Sequence, residues 1–172
     1  NQEEYEYLRD LDADMCLVIA YGQIIPESFL NLTKKGFINI HASLLPKYRG
    51  AAPIQRAIMN LEKKTGISIM KINSQLDEGP VCKSYEIDIN EKDSSDDLSE
   101  KLSDLAVEKI LDDIDDILDD KAKFKDQDHS KATYAKKINK KDNIIDFNTP
   151  ANSVIAKING LNAAHFNFQG AR

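Results

Sequence analysis

Residues 37–58 have the sequence FINIHASLLPKYRGAAPIQRAI, a short apolar strand that leads into a loop marked by proline and glycine. Asn39 and His41 interrupt the strand formers with polar groups that a sheet does not favour. Side chains two positions apart on a strand point to the same face, so the Asn39 carboxamide and the His41 imidazole are predicted to lie side by side. Such a pair at a strand end indicates a functional site, although a turn-capping Asn and a structural His would give the same pattern.

The segment that follows brings rigid and small residues close to this pair. Leu45 precedes Pro46 and is therefore expected to be extended. Pro53 is tolerated in the first turn of a helix, which is predicted over residues 51–63. Gly50 and its alanine neighbours allow other backbone segments to approach closely.

Apolar runs and helical spacings predict alternating strands and helices. An apolar run at 15–20, a helix at 26–35 and the strand at 37–40 form the strand–helix–strand unit of a parallel sheet. Weaker patterns predict a strand at 144–147 and a helix from 149 to 158. The remaining elements are a helix at 3–12, strands at 66–72 and 81–89, the second a candidate for the sheet edge, and a capped helix from 94 onward.

These elements predict an α/β fold class. We expect an open, Rossmann-like, mainly parallel sheet with flanking helices and with ligands at the strand ends. The chain has 172 residues, of which 41% are hydrophobic, which is enough for one buried core.

Composition also bounds the possible partners and the compartment. No apolar run is long enough to cross a bilayer, and the first residues lack a signal-peptide pattern, so we expect a cytoplasmic protein without a membrane partner. Cys16 and Cys82 lie apart in apolar runs, which favours buried reduced thiols over a disulfide or a metal pair. No metal site is predicted.

The charge distribution argues against a broad nucleic-acid surface. The net charge is −6, and phosphate binding needs clustered Lys and Arg. The densest basic cluster has the sequence KATYAKKINKK at residues 131–141. It can either contact a phosphate backbone or form a solvated face.

Three motifs in this order resemble those of the folate-dependent formyltransferases. They are Asn39-Ile40-His41-Ala42-Ser43-Leu44-Leu45-Pro46, then Tyr48-Arg49-Gly50-Ala51-Ala52-Pro53-Ile54, and finally Leu76-Asp77-Glu78-Gly79. The Arg-Gly-Ala-Ala-Pro-Ile-Gln version of the second motif, with Ala20-Tyr21-Gly22 upstream and Thr65-Gly66-Ile67 downstream, is most similar to family members that act on methionyl-tRNA. The resemblance covers nearly the whole chain.

This resemblance implies a reaction and its substrates. The expected function is transfer of a formyl group from 10-formyltetrahydrofolate to the amino group of initiator methionyl-tRNA in translation initiation, without a metal. An amino sugar or a glycinamide nucleotide as acceptor is the alternative, and a non-catalytic folate-binding module is a further one.

The resemblance also implies the site residues. Asn39, His41 and Asp77 would be catalytic. Ile24 and Ile25 would line a pterin pocket, but core packing explains them equally well. The expected folate-binding residues are Ser43, Leu44, Leu45, Pro46, Ile24 and Ile25.

Formyl transfer to an amine requires a group that stabilises the oxyanion and a group that takes the proton. Asn39 can donate a hydrogen bond to the oxyanion, and His41 can donate another or move a proton. Asp77 can orient the imidazole and favour its protonated form, or take the proton itself through a water. The sequence leaves these roles open. Ser43 is not expected to be a nucleophile, because no base is spaced to activate it and the formyl donor is already activated.

Domain organisation is also taken from the resemblance. Residues 1–160 would form a catalytic domain whose N-terminal part is missing from this chain. Residues 161–172 would be a linker or the start of a missing C-terminal β-barrel domain. Most contacts to tRNA would then come from absent regions, and the protein is expected to be a monomer.

Overall fold

A four-stranded sheet in the order β1-β2-β3-β4 organises the protein, in a computed structural model that describes residues 2–166. The strands are β1 (Cys16–Val18), β2 (Phe37–His41), β3 (Lys64–Lys71) and β4 (Val81–Asp88). The helices are α1 (Gln2–Asp10), α2 (Glu27–Leu30), α3 (Pro53–Met59), α4 (Ser95–Leu118) and α5 (Ala151–Leu161), with a 3-10 turn at His129–Lys131. The predicted α/β class, an open sheet with flanking helices, is confirmed.

The direction of the strands differs from the prediction, because the sheet is mixed rather than mainly parallel. β1 and β2 are parallel, as the strand–helix–strand pattern predicts, but β3 and β4 each run antiparallel to the preceding strand. The loop of residues 72–80 contains no helix, so it returns the chain as a hairpin rather than a crossover. The connection through the short α3 also does not carry the chain back across the sheet. β3 therefore begins at the end of the sheet where β2 ends, and runs antiparallel to it.

The core lies on one face of the sheet, beneath α4. Ile38 and Ile40 of β2 are buried on this face together with Ile67 and Ile69 of β3. Along α4 the contacts come from Leu98 and Leu102 near its start and Ile117 near its end. Because side chains alternate along a strand, Asn39 and His41 of β2 project from the opposite face.

Several boundaries differ from the sequence-based expectation. The helix predicted over 26–35 ends at Leu30, since Asn31 and Thr33 favour turns. The strand predicted over 144–147 is wrong for the part of the chain that the structure describes, where Ile144 makes an isolated bridge to His165 and no longer ladder. Residues 161–166 are described, with Leu161 ending α5, whereas the rest of the expected linker, residues 167–172, lies outside the described residues.

The structure also bears on the two cysteines and on the character of the helices. Cys16 and Cys82 are unpaired and half-buried, so the prediction of separate thiols is confirmed, with less burial than expected. Among residues 2–166, none of the helices combines the length and apolar content that a bilayer-spanning segment needs.

The predicted N-terminal cap of α4 is confirmed. Ser94 Oγ accepts a hydrogen bond from the Asp97 N–H at 3.1 Å, and Asp97 Oδ2 accepts one from the Ser94 N–H at 2.9 Å. Two N–H groups that the helix itself cannot satisfy are thereby paired.

Replacing Ser94 should measurably weaken the fold. We expect Ser94→Ala to lower the free energy of unfolding by about 1 kcal/mol, because the Asp97 N–H loses its acceptor. Urea denaturation followed by circular dichroism measures this change. Ser103→Ala is the matched control, since among the residues that the structure describes this exposed hydroxyl bonds only the Ser99 carbonyl, within α4. Equal losses in the two variants would contradict the proposed contribution of the cap.

Candidate active site

Asn39 and His41 stand at the end of β2 on the face that α4 does not cover. His41 is 7% exposed, whereas Asn39 is half-buried. Within residues 2–166 the Asn39 carboxamide has no hydrogen-bond partner, so its N–H groups are available to a ligand. The predicted side-by-side placement of the two polar groups follows from their positions on the observed strand.

The His41 ring is oriented by a backbone carbonyl. His41 Nε2 lies 2.9 Å from the Tyr48 carbonyl oxygen. A carbonyl can only accept, so Nε2 carries a hydrogen and donates it. His41 Nδ1 then faces Asp77 Oδ2 at 3.8 Å, which is too long for a hydrogen bond but within ion-pair range when the ring is protonated. Nδ1 is therefore the ring atom at which protonation can change.

Asp77 reaches His41 from the loop between β3 and β4. Its backbone adopts a left-handed conformation with φ of 50°, and its Oδ2 accepts a hydrogen bond from the Gly50 N–H at 2.7 Å. Gly79 allows this loop to pack closely, since a Cβ at that position would lie 1.8 Å from the Lys71 carbonyl oxygen. The same carboxylate oxygen is thus held by Gly50 and directed toward His41.

Tyr48, whose carbonyl orients His41, is itself anchored at both ends. Its N–H donates to Thr133 Oγ1 at 2.9 Å, and its hydroxyl donates to Glu62 Oε1 at 2.7 Å. The hydroxyl also accepts from Asn60 Nδ2 at 3.0 Å. Burial raises the pKa of Tyr48 to about 12, so the hydroxyl stays protonated and continues to donate at neutral pH.

The expected folate-binding segment begins with a hydroxyl that is already used within the loop. Ser43 is 1% exposed, and its Oγ donates to the Lys47 carbonyl at 2.6 Å. Ser68 Oγ donates to the Ser43 carbonyl and accepts from the Leu45 N–H. The structure thus gives Ser43 a role in bracing the loop. Leu44, Leu45 and Pro46 are half-buried, and folate binding by this segment stays a prediction.

The two isoleucines proposed for a pterin pocket lie between β1 and α2. Ile24 is 80% exposed, and Ile25 is half-buried. Core packing within the described residues therefore does not account for Ile24. A pterin pocket lined by Ile24 and Ile25 stays a prediction.

A buried cluster that the sequence pattern does not predict joins the site loops. Arg49 is 1% exposed, and its Nη1 lies 2.9 Å from Glu78 Oε1. Its Nε and Nη2 donate to Gln127 Oε1 at 3.1 Å and 2.8 Å. The sequence motifs include Arg49 and Glu78, but Gln127 follows α4 in a stretch with no periodic pattern.

The basic cluster at 131–141 runs alongside the segment between β2 and α3 that contains Gly50, the residue whose N–H binds the Asp77 carboxylate. The Arg49 N–H donates to the Thr133 carbonyl, the Ala135 N–H donates to the Arg49 carbonyl, and the Ala52 N–H donates to the Ala135 carbonyl. Four lysines of this cluster are exposed and make no ion pair with the described residues: Lys136, Lys137, Lys140 and Lys141.

Comparisons with known proteins agree with this architecture. The sequence profile of the formyl transferase family matches residues 1–114. A methionyl-tRNA formyltransferase from Pelagibacter ubique is 62% identical over 161 residues, which are 94% of this chain and 52% of that protein. The chain thus spans about half the length of this relative.

Solved structures share the fold. A 4-N formyltransferase from Francisella tularensis superposes with a TM-score of 0.81 at 24% identity, over 95% of this chain and 70% of that one. A formyltransferase from Anoxybacillus kamchatkensis, solved with a UDP-formamido sugar and tetrahydrofolate, gives a TM-score of 0.65 at 25% identity, over 72% of this chain and 64% of that one.

Gly50 should tolerate a side chain less well than another glycine with positive φ. Gly50 has φ of 110°, and an added Cβ would lie 2.9 Å from the Ala135 carbonyl oxygen. Gly22 has φ of 61°, and no atom of residues 2–166 lies within 4 Å of its added Cβ. Gly22→Ala should therefore cost at most about 1–2 kcal/mol of conformational strain, while Gly50→Ala adds a backbone clash. Thermal unfolding of both variants tests this, and a smaller loss for Gly50→Ala would contradict it.

Proposed function

This chain belongs to the formyl transferase family, and on that premise we propose that the protein containing it transfers a formyl group from 10-formyltetrahydrofolate to the amino group of methionyl-tRNA. The observation that carries the chemistry is the placement of His41 Nδ1 3.8 Å from Asp77 Oδ2. Both lie by the sheet face that presents Asn39, whose carboxamide has no hydrogen-bond partner among residues 2–166. The acceptor is favoured by 62% identity to a methionyl-tRNA formyltransferase over 94% of this chain.

Asn39 is suited to stabilise negative charge. When the amine attacks, the formyl oxygen gains charge, and a donor fixed on a strand can bind it without reorganising. The Asn39 amide has no competing partner within the described residues. His41 lies two residues along the same strand and can contribute beside it.

His41 and Asp77 are suited to handle the proton. In the reaction, the amine nitrogen bonds to the formyl carbon, the bond from that carbon to N10 of the folate breaks, and a proton moves overall from the amine to N10. His41 Nε2 is committed to the Tyr48 carbonyl, so Nδ1 is the ring atom that can accept and return a proton. Asp77 Oδ2 lies 3.8 Å from Nδ1, where it can orient the ring, and the same carboxylate could take the proton through a water.

The exposed lysines of the 131–141 cluster support a polyanionic acceptor. They lie on a segment bonded directly to Arg49 and Ala52, beside the loop that holds Asp77. A phosphate backbone bound there would lie close to the site, and its affinity would fall as salt rises. We place this activity in the cytoplasm, where translation initiates.

Substitution of Asp77 and His41 should separate their two roles. In the full-length protein, we expect Asp77→Asn to lower turnover about 10-fold or more with nearly unchanged folate affinity, since one charge-assisted partner is lost. If the carboxylate itself takes the proton, His41→Asn should retain much more activity than Asp77→Asn. Steady-state kinetics with 10-formyltetrahydrofolate and a panel of methionyl-tRNA, amino-sugar and glycinamide acceptors measure both.

Asp104→Asn on the exposed side of α4 is the matched control, and it should leave turnover unchanged. Near wild-type turnover in both site variants would refute the assignment of the chemistry to this pair. Preference for an amino sugar or a glycinamide nucleotide over methionyl-tRNA would refute the proposed acceptor.

The 172-residue segment alone should bind tRNA weakly and transfer formyl poorly. Its net charge is −6, and it spans about half of its relatives' length. Filter binding at several salt concentrations, compared with the full-length protein, tests this expectation. Tight binding by the segment with a steep fall as salt rises would overturn it.

A further inference from the structure

Gln127 uses its whole carboxamide to join the loop that contains Asp77 to the segment that contains Arg49 and Gly50. Its Nε2 donates to the Asp77 carbonyl at 2.9 Å and to the Gly79 carbonyl at 2.8 Å. Its Oε1 accepts from Arg49 Nε and Nη2. A carboxamide has two N–H donors and two acceptor lone pairs, and here all four are used.

This arrangement allows only one orientation of the amide. A flipped amide would place its NH₂ against the Arg49 guanidinium and its oxygen against two carbonyls. Gln127 is 8% exposed and Arg49 is 1% exposed, so water cannot readily replace the lost bonds. Gln127 is therefore a fixed support between Arg49 and the loop of Asp77.

The support acts on the backbone at both sides of Glu78. Gln127 holds the carbonyls of Asp77 and Gly79, while Arg49 holds the Glu78 carboxylate between them. Asp77 also needs restraint, because its φ of 50° is uncommon for a residue with a side chain. Gln127 makes no hydrogen bond to His41 or to the Asp77 carboxylate.

We propose that Gln127 is a positioning residue for catalysis, which holds the Asp77 backbone so that the carboxylate stays between the Gly50 N–H and His41. This inference rests on the proposed function in assigning the chemistry to Asp77. A displacement of about 1 Å at a reacting group can cost on the order of 100-fold in rate. Gln127 thus acts on the reaction only through Asp77.

Two variants of the full-length protein test the role. Gln127→Glu keeps the size and the contact to Arg49 but replaces both donors to the carbonyls with an acceptor oxygen. Gln127→Met keeps the length of the side chain and removes all four hydrogen bonds. It replaces Gln127→Glu in the test if that variant does not fold. Ser130→Ala is the matched control, since it removes a hydrogen bond to Asp128 in the same segment and leaves Gln127 untouched.

Kinetics should show an effect confined to the chemical step. We expect Gln127→Glu to lower kcat about 10-fold or more, with the KM for 10-formyltetrahydrofolate within about twofold of wild type. In an Asp77→Asn background the same substitution should cost less than about twofold, because the residue acts only through Asp77. An equal fold-loss in both backgrounds would show a merely structural role and overturn the proposal.

A second readout does not depend on activity. The Gly50 amide donates to Asp77 Oδ2, so its hydrogen exchange, followed by NMR, reports whether the carboxylate is in place. Exchange should be about 10-fold faster in Gln127→Glu or Gln127→Met and unchanged in Ser130→Ala. Unchanged Gly50 exchange in the folded Gln127 variants would refute the proposal. If the wild-type protein formylates no acceptor, the proposed function fails, and the support of Asp77 is decided by this exchange alone.

Discussion

The buried guanidinium of Arg49 is the constraint on which the rest of the site depends. A charge that is 1% exposed is tolerated only when it is paired and hydrogen-bonded. Arg49 finds its partners on two other segments, Glu78 in the loop after β3 and Gln127 after α4. Its own peptide groups pair with Thr133 and Ala135. Satisfying this one side chain therefore brings three distant parts of the chain together.

The chemistry is divided between a rigid strand and these joined loops. β2 supplies Asn39, which is paired with both neighbouring strands, and His41, which is paired with β3. The loops supply Asp77 and the backbone groups that orient the pair, the Tyr48 carbonyl and the Gly50 N–H. A backbone group can bind a side chain here only where the backbone segments lie close together. This close approach explains the need for glycine at position 50, since an added Cβ would lie 2.9 Å from the Ala135 carbonyl oxygen.

The sequence pattern predicted correctly those elements that depend on interactions between residues close together in the chain. The Ser94 cap and the strand predicted at 37–40 depend on neighbours within a few residues, and both are observed, the strand with one further residue, His41. The directions of β3 and β4 depend on how far a connection carries the chain, which hydrophobic pattern does not encode. The segment at 144–147 has strand-forming residues but no partner strand within the described residues, so only the bridge from Ile144 forms.

The sequence by itself determined that Asn39 and His41 share a face, because alternation is a property of any extended backbone. It also carried the motif residues that mark the family. Only the tertiary structure decided that Asp77 meets His41, that Nε2 rather than Nδ1 is committed to a carbonyl, and that Gln127 supports the loop between them. These contacts join residues far apart in the chain, and their formation depends on the packing of the whole domain rather than on the preference of any one segment.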